Sequence, residues 1–253
     1  MECQWVLLQF LSIVLILSSL LHLARFWRTP AFYGRYQDPS GRGCVVPAKV
    51  AWFLQELPAF LCPLLLFLFT SHEASAVGMC ILFGMFGLHY FHRTFIYAPL
   101  TCGQPFPVNV MVSAAVFCSS NGFMQGHYLL HCAAYETTWL TVIQQGIGSI
   151  LFYLGMAINI HSDGILRNLR KPGETTYKIP RGGLFEYVSC ANYFGEILEW
   201  LGYAIAACSL PSFSFTFFSW CFIIPRARNH HRFYHEKFED YPKSRRCIIP
   251  FIY

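Results

Sequence analysis

Four polar side chains recur at helical spacing within an otherwise apolar stretch, Ala191–Tyr203. They stand at i, i+4, i+7 and i+11, the spacing of a single helix face: Asn192, Glu196, Glu199 and Tyr203. The surrounding apolar segment, roughly 184–210, is long enough to cross a lipid bilayer. A carboxylate at that depth is costly unless it faces a polar, protein-lined cavity, so the stripe predicts a ligand chamber. The alternative is a hydrogen-bonded seam between two helices.

A second acid, Glu56, follows Gln55 near the start of another apolar segment, in the stretch A-W-F-L-Q-E-L-P. The next apolar segment presents a helical face with three polar side chains: Tyr90, Arg93 and Tyr97. The short loop at 71–76 makes the two segments antiparallel neighbours, so Glu56 and Tyr90 can approach each other. A carboxyl and a phenol in an apolar pocket suit hydrogen-bond donation to a carbonyl oxygen. The alternative is a Glu–Tyr hydrogen bond that only locks two helices together.

A third face changes from uncharged to acidic to basic along one predicted helix: Asn159, Asp163, Arg167 and Arg170. Polar and basic residues continue in the following loop and in the C-terminal tail: Lys171, Tyr177, Lys178, Arg181, Arg226, Arg228, His230, His231, Arg232 and Tyr234. Two basic clusters above amide and acid stripes predict an entrance for a phosphate-bearing ligand. Basic side chains that reach from a span to the membrane surface are the alternative explanation.

Ten histidines raise the question of a metal site. The spacings His89-x2-His92, His127-x3-His131 and His230-His231-x3-His235 resemble the histidine boxes of membrane di-iron enzymes. The first two pairs fall at opposite ends of their predicted spans, most of a ~30 Å hydrocarbon core apart, so we expect no metal. A Rossmann nucleotide fold is also not expected, because the G-x-G at Gly146–Gly148 fails on spacing and follows no strand.

The composition is that of an integral membrane protein. Of 253 residues, 55% are hydrophobic and only 12% are charged, against roughly 25% charged in a typical soluble domain. The 11 cysteines contain no C-x-x-C pair, so most are interpreted as unpaired apolar residues within spans. The net charge of +5 does not indicate nucleic-acid binding, because the basic residues follow the predicted loops.

Seven predicted spans explain where those basic residues lie. The apolar segments run over about 5–23, 51–70, 77–98, 108–132, 140–163, 184–209 and 212–225. The first is preceded by an acidic residue and no basic one, so it is interpreted as a span and not as a cleaved signal peptide. With seven spans, all 18 Lys and Arg residues fall on one side, which the positive-inside rule makes cytosolic. The expected cytosolic parts are therefore about 25–49, 98–107, 165–183 and 226–253, and the N-terminus is lumenal.

Eight motifs together resemble the steroid 5-alpha-reductase family, with the greatest likeness to its type 2 members across almost the whole chain. They are A-W-F-L-Q-E-L-P (51–58), H-Y-F-H-R-T-F (89–95), N-I-H-S-D (159–163), L-R-K-P-G-E (169–174), I-P-R-G-G-L-F-E-Y-V (179–188), A-N-Y-F-G-E-I-L-E-W-L-G-Y-A (191–204), H-H-R-F-Y (230–234) and F-E-D-Y-P-K-S-R (238–245).

The resemblance implies an all-α, seven-helix membrane enzyme of the endoplasmic reticulum that encloses a cofactor and steroid cavity. Such an enzyme uses NADPH to reduce the Δ4 double bond of 3-oxo steroids, for example testosterone to dihydrotestosterone. By position, Glu56 and Tyr90 would hold and polarise the 3-oxo group, and the substrate-binding residues would be Trp52, Gln55, Arg93 and Ser113. The NADPH-binding residues would be Asn159, Asp163, Arg170, Tyr177, Lys178, Asn192, Glu196, Arg226, His230 and Tyr234. We expect a monomer that needs no metal and no nucleic acid.

Two positions depart from the family pattern. Residues 101–105 are Thr-Cys-Gly-Gln-Pro where type 2 members have Asn-Arg-Gly-Arg-Pro, so some cofactor affinity should be lost. Ser113 stands in place of an arginine at the steroid end, so substrate preference is not carried over.

Two other functions are kept as alternatives. The first is a membrane methyltransferase of the isoprenylcysteine type. Its cofactor S-adenosylmethionine has no phosphate, so both basic clusters would lack a role. The second is a sterol-binding or transport protein that carries out no chemistry.

Overall fold

Seven long helices make up most of the chain that the computed structural model describes, which is residues 2–30, 33–36, 43–70, 77–136, 138–169, 174 and 176–253. They are α1 (Trp5–Phe26), α2 (Ala48–Phe69), α3 (Val77–Phe91), α4 (Val108–His127), α5 (Trp139–Asn168), α6 (Ala191–Ala207) and α7 (Leu210–Lys237). A π-helical segment, His92–Tyr97, and a helical turn, Ala98–Leu100, extend α3. Another π-helical segment, Tyr128–Cys132, extends α4. The predicted helical architecture is confirmed.

Three of the described helices are long and apolar enough to cross a membrane: α1, α2 and α5. Large apolar side chains project outward from α1, where Val6 is 79% and Leu21 73% exposed. In water such a surface would be unfavourable, whereas hydrocarbon accepts it at no cost. The count of seven spans stays a prediction.

Glycines allow α5 and α6 to pack with their backbones nearly in contact. Gly148 and Gly155 on α5 face Gly195 and Gly202 on α6, each pair seven residues apart. A Cβ added at Gly195 would come 2.5 Å from the backbone nitrogen of Asn159, which no side chain tolerates. This close packing sets the acid and amide stripes of the two helices beside each other.

A two-stranded antiparallel sheet joins the starts of α2 and α4. Strand β1 (Val45–Val46) pairs with β2 (Phe106–Pro107), and each strand leads into its helix within two residues. Glycines again permit close contact further along, because a Cβ on Gly126 would come 2.8 Å from the Cα of Pro63. The pairing and the glycines together fix the rotation of α4 against α2.

A disulfide joins Cys3, just before α1, to Cys132 at the end of the α4 extension. The interpretation of the cysteines as unpaired is therefore wrong for these two. The two cysteines are 129 residues apart in the sequence, so no short cysteine spacing could indicate the pair. Only the folded helix arrangement brings them together.

Two helices have limits that differ from those of the predicted apolar segments. In the segment that begins at residue 184, a 3₁₀ turn, Gly183–Glu186, comes first and the α-helix begins only at Ala191, because Gly182 and Gly183 adopt positive φ angles and the Ser189 backbone N–H donates to the Arg246 carbonyl oxygen at 2.9 Å. Beyond the predicted apolar segment that ends near residue 225, α7 continues through Pro225 to Lys237. The first part of the expected tail is thus a helix extension.

Candidate active site

A cavity of about 470 Å³ lies among six of the seven helices, a size typical of ligand pockets. None of the α1 residues lines it. Acid, amide and aromatic groups from α2, α3, α5 and α6 form its middle. Phenylalanines from α4 and α7 form an apolar end: Phe117, Phe215, Phe218 and Phe222. Tyrosines and arginines from α7 and from the segment at 33–36 form its other end.

Arg93 lies at the centre of the cavity wall and is only 8% exposed. Its guanidinium nitrogens lie 3.5 Å from Glu56 Oε1 and 3.8 Å from Asp163 Oδ2. The same group stands over the rings of Trp52 and Tyr97, at 4.6 Å and 4.3 Å from their centroids. One buried cation thus links an acid of α2 to an acid of α5, and it balances part of their charge.

Glu56 and Tyr90 line the same cavity, as expected, and both are buried. In the part of the chain that is described, no hydrogen bond joins them directly. Cys118 Sγ donates to Glu56 Oε2 at 3.9 Å, and Asn121 Nδ2 donates to Tyr90 Oη at 3.5 Å. The alternative in which the pair only locks α2 to α3 therefore has no bond to support it. Beside Glu56, Gln55 has a buried side-chain oxygen without a partner.

The polar stripe of α6 divides into two halves with different surroundings. Asn192 Nδ2 donates to Asp163 Oδ1 at 3.1 Å, and Asn159 Nδ2 donates to the Asn192 carbonyl oxygen at 2.9 Å. Glu196 also lines the cavity, and no protein hydrogen bond or ion pair is found for it among the described residues. This half of the stripe fits the predicted ligand chamber.

The other half of the stripe is a seam between helices. Glu199 has no exposed surface and lies 2.7 Å from His89 Nδ1 of α3. Tyr203 donates to Gln125 Oε1 of α4 at 3.4 Å. The alternative interpretation is thus correct for these two residues, because they contact neighbouring helices and do not line the cavity.

At the end of the cavity nearest the α7 extension, two arginines carry unused hydrogen-bond donors. Among the described residues, Arg35 and Arg226 each have a buried Nη1 without a partner, although Arg226 Nε donates to Tyr193 Oη at 2.9 Å. Unpaired buried guanidinium groups are unfavourable unless an anion completes them. We call this group of cationic and aromatic residues the mouth: Tyr33, Arg35, Tyr36, Tyr177, Arg226, His230 and Tyr234.

Aromatic rings hold the two arginines of the mouth in place. The Arg35 guanidinium lies 5.0 Å from the ring centroid of Tyr177 and 5.2 Å from that of Tyr234. Tyr36 Oη lies 2.8 Å from His230 Nδ1. Burial raises the pKa of Tyr36 to about 12, so it remains a neutral phenol at physiological pH. The mouth is therefore cationic, with flat ring surfaces on which a planar base could stack.

Two predicted site residues that the structure describes are not brought into the cavity. Ser113 is exposed and donates to the Asn109 carbonyl oxygen of its own helix at 2.8 Å. Lys178 is half-exposed and pairs with Glu174 at 2.7 Å. Arg170 lies outside the described residues. All other predicted site residues line the cavity.

Sequence reasoning missed several residues of the site. From the sequence, Arg35 is assigned only to the predicted cytosolic loop at 25–49. The aromatic residues that flank it in Y-G-R-Y were a signal that could have placed it in the site. Gly34 adopts a positive φ of 64° there, and its missing side chain leaves room for Arg226, whose Nη2 would lie 3.2 Å from an added Cβ. Asn121, behind Tyr90, and the His89 partner of Glu199 gave no spacing signal.

Within the described chain, no three His, Cys, Asp or Glu side chains lie close enough together to hold a metal ion.

Comparison with known proteins identifies the family of the chain. A family profile described as 3-oxo-5-alpha-steroid 4-dehydrogenase matches residues 104–253. The type 2 enzyme of this name from Sus scrofa is 52% identical over 94% of both chains, and that from Homo sapiens is 50% identical over 91% of both. The human type 1 enzyme is 51% identical over 91% of this chain and 89% of its own. The likeness to type 2 members is confirmed, and that to type 1 is as high. The chain belongs to the 3-oxo-5-alpha-steroid 4-dehydrogenase family of oxidoreductases.

Proposed function

We propose that this protein is a membrane-embedded reductase that uses NADPH to saturate the Δ4 double bond of 3-oxo-Δ4 steroids, such as testosterone. One observation carries the proposal: a single cavity joins an apolar end, next to a buried carboxyl and phenol, to a mouth whose two arginines each keep one buried nitrogen without a partner among the described residues. A steroid ketone matches the first end and a phosphate-bearing dinucleotide matches the second. The names of the relatives support the same steroid chemistry.

The steroid would lie with its apolar rings among the phenylalanines of α4 and α7. The Phe117 and Phe218 rings stack at 4.1 Å and provide a flat wall for a flat ring system. Tyr90 would donate to the 3-oxo oxygen, and Glu56, when protonated, would donate from α2. Trp52, Gln55 and Arg93 would line the space around this carbonyl. Each of these groups is fixed by a neighbour or by burial, so little reorganisation is needed on binding.

NADPH fits the rest of the cavity by the chemistry of its lining. Arg35 and Arg226 offer unpaired donors to phosphate oxygens, and Tyr177, His230 and Tyr234 offer rings to the adenine. Asn159, Asp163, Asn192 and Glu196 would hold the nicotinamide end, because a carboxamide needs both donors and acceptors. When bound, NADPH supplies the hydride that the steroid receives at C5.

The side chains then act on the charge that develops on the substrate. Addition at C5 leaves negative charge on the 3-oxo oxygen until C4 gains a proton. Donors already aimed at that oxygen stabilise this charge more than they stabilise the neutral ketone, which lowers the barrier. Tyr90 and protonated Glu56 would supply this stabilisation, and the positive charge of Arg93 nearby would add to it.

We further propose seven spans in the endoplasmic reticulum membrane, with a lumenal N-terminus, a cytosolic C-terminus and a monomeric chain. The one-sided distribution of Lys and Arg supports this topology. The Cys3–Cys132 disulfide lies on the side expected to be lumenal, where disulfides form and persist. The exposed apolar surface of α1 would face lipid.

The test is steroid-dependent oxidation of NADPH by detergent-purified full-length protein, with the product identified by mass spectrometry. We expect 5α-dihydrotestosterone from testosterone. The variants Tyr90→Phe and Glu56→Leu each remove a donor and should lower turnover at least about 100-fold, because a single oxyanion donor is worth that much. NADPH affinity should change less than twofold. Ser113→Ala is the matched control on α4.

Turnover at the normal rate in either variant would show that the assigned role is wrong. Steroid binding without turnover of the unmodified protein would favour a sterol carrier. Transfer of a methyl group from S-adenosylmethionine would favour the methyltransferase.

A further inference from the structure

We infer that Asn121 and Gln125 are positioning residues that set the direction in which Tyr90 donates its hydroxyl hydrogen. The inference rests on the proposed function, because it assigns Tyr90 the role of donor to a steroid ketone. It concerns two α4 side chains, each 1% exposed, that do not line the cavity.

The two amides form a continuous hydrogen-bond chain behind Tyr90. Gln125 Nε2 donates to the Pro211 carbonyl oxygen at 3.0 Å and to Asn121 Oδ1 at 3.1 Å. Asn121 Nδ2 donates to Tyr90 Oη at 3.5 Å. At the far end, Tyr203 Oη donates to Gln125 Oε1 at 3.4 Å. The chain therefore connects α3, α4 and α6 to the start of α7.

The Pro211 carbonyl fixes the polarity of the whole chain, because a carbonyl oxygen can only accept. Gln125 must direct its amide nitrogen toward Pro211, and the same nitrogen then requires Asn121 to present its oxygen. The nitrogen of Asn121 is left to face Tyr90. If either amide were rotated by 180° so that its oxygen and nitrogen exchanged places, two oxygens or two N–H groups would face each other.

The hydroxyl of Tyr90 is consequently an acceptor on its inner side. Its own hydrogen has to point elsewhere, and no protein acceptor is hydrogen-bonded to it within the described chain. The remaining open direction is the cavity, where the 3-oxo oxygen would lie. A donor oriented before the substrate arrives needs no reorganisation during the reaction, which is how preorganised sites lower barriers.

Backbone packing holds the two amides on the required side of α4. Asn121 and Gln125 are four residues apart and share one helix face. The glycines that follow them, Gly122 and Gly126, lie against the α2 backbone, where an added Cβ would come 3.0 Å from Ala59 and 2.8 Å from Pro63. Helix α4 therefore cannot rotate to turn the amides away from Tyr90.

The experiment compares the affinity of the protein for testosterone with its affinity for the analogue that lacks the 3-oxo oxygen. Full-length protein in detergent is titrated with each steroid in the presence of NADP⁺, which prevents turnover. The ratio of the two affinities reports the hydrogen bond to the ketone. General damage to the pocket would lower both affinities together and leave the ratio unchanged.

We expect Asn121→Leu to lower this ratio about tenfold, close to the effect of Tyr90→Phe, because the Tyr90 hydrogen would no longer be directed to the ketone. Gln125→Met keeps the side-chain length and should lower the ratio about threefold by releasing Asn121. It also serves as the second variant should Asn121→Leu fail to fold. Ser119→Ala removes a hydroxyl that bonds only the Ala115 carbonyl oxygen of α4, and it should leave the ratio unchanged.

The inference is overturned if Tyr90→Phe lowers the ratio while Asn121→Leu and Gln125→Met do not. It is also overturned if the amide variants lower both affinities equally. An unchanged ratio in Tyr90→Phe, or no steroid binding by the unmodified protein, would instead overturn the proposed function. The two kinds of failure are thus distinguishable.

Discussion

The surroundings of Tyr90 and the mouth both bury polar groups, but the hydrogen bonds of those groups are satisfied in opposite ways. Behind Tyr90, buried amides use one another and a backbone carbonyl as partners. In the mouth, Arg35 and Arg226 each keep a buried donor without a partner. The first region is complete before any ligand arrives, whereas the second needs an anion to be complete. Under the proposed function, a rigid surface would orient the ketone, and the dinucleotide would contribute to the order of its own site.

We call Tyr90 and its buried neighbours the inner region, and one of the two largest expected effects comes from breaking it at the His89–Glu199 pair. Glu199→Leu would leave His89 buried without its partner, and we expect a loss of about 1–3 kcal/mol in stability, the cost of an unsatisfied buried hydrogen-bonding group. Thermal unfolding in detergent would measure it. The double replacement His89→Leu with Glu199→Leu should recover part of the loss. Glu236→Gln is the control, since its pair with Arg232 is largely exposed. An unchanged midpoint for Glu199→Leu would mean that the seam contributes no stability.

A second variant tests whether both regions depend on the contact between α5 and α6. Gly155→Ala would place a methyl group against the Glu199 backbone, so we expect a loss of about 1–3 kcal/mol. The matched control is Gly146→Ala on the same helix, because a Cβ there meets nothing within 4 Å. That control should be neutral or slightly stabilising. Equal unfolding temperatures for the two variants would contradict the close packing described here.

A third variant separates the mouth from the inner region. Arg35→Ala should weaken NADP⁺ binding about tenfold to 100-fold, the range for a lost charge-assisted hydrogen bond to phosphate, as measured by calorimetry. The ratio of affinities for the ketone and its deoxygenated analogue should remain unchanged. Arg232→Ala is the control for loss of positive charge nearby, because its side chain is about half exposed. Equal NADP⁺ affinity in the two variants would remove Arg35 from the cofactor site.

Helical periodicity predicted those parts of the site that depend on one helix at a time. Asn192 and Glu196 share a face because of their spacing, and that face does line the cavity. The same spacing could not show that Glu199 pairs with His89, which lies 110 residues earlier in the chain. The disulfide and the place of Arg35 were missed for the same reason, since packing between distant segments determines them.

Helix α7 has a further consequence under the proposed function, because this one continuous helix would carry groups for both ligands. Phe215 and Tyr234 stand 19 residues apart on it, which corresponds to about 28 Å of helix rise. The distance between the proposed steroid contact at Phe215 and the proposed adenine contact at Tyr234 would thus be set by helix geometry and not by a loop. A residue inserted between Phe222 and Arg226 would turn one contact by about 100° relative to the other, even if every side chain were kept. This single helix would therefore limit the length of the dinucleotide that the site accepts.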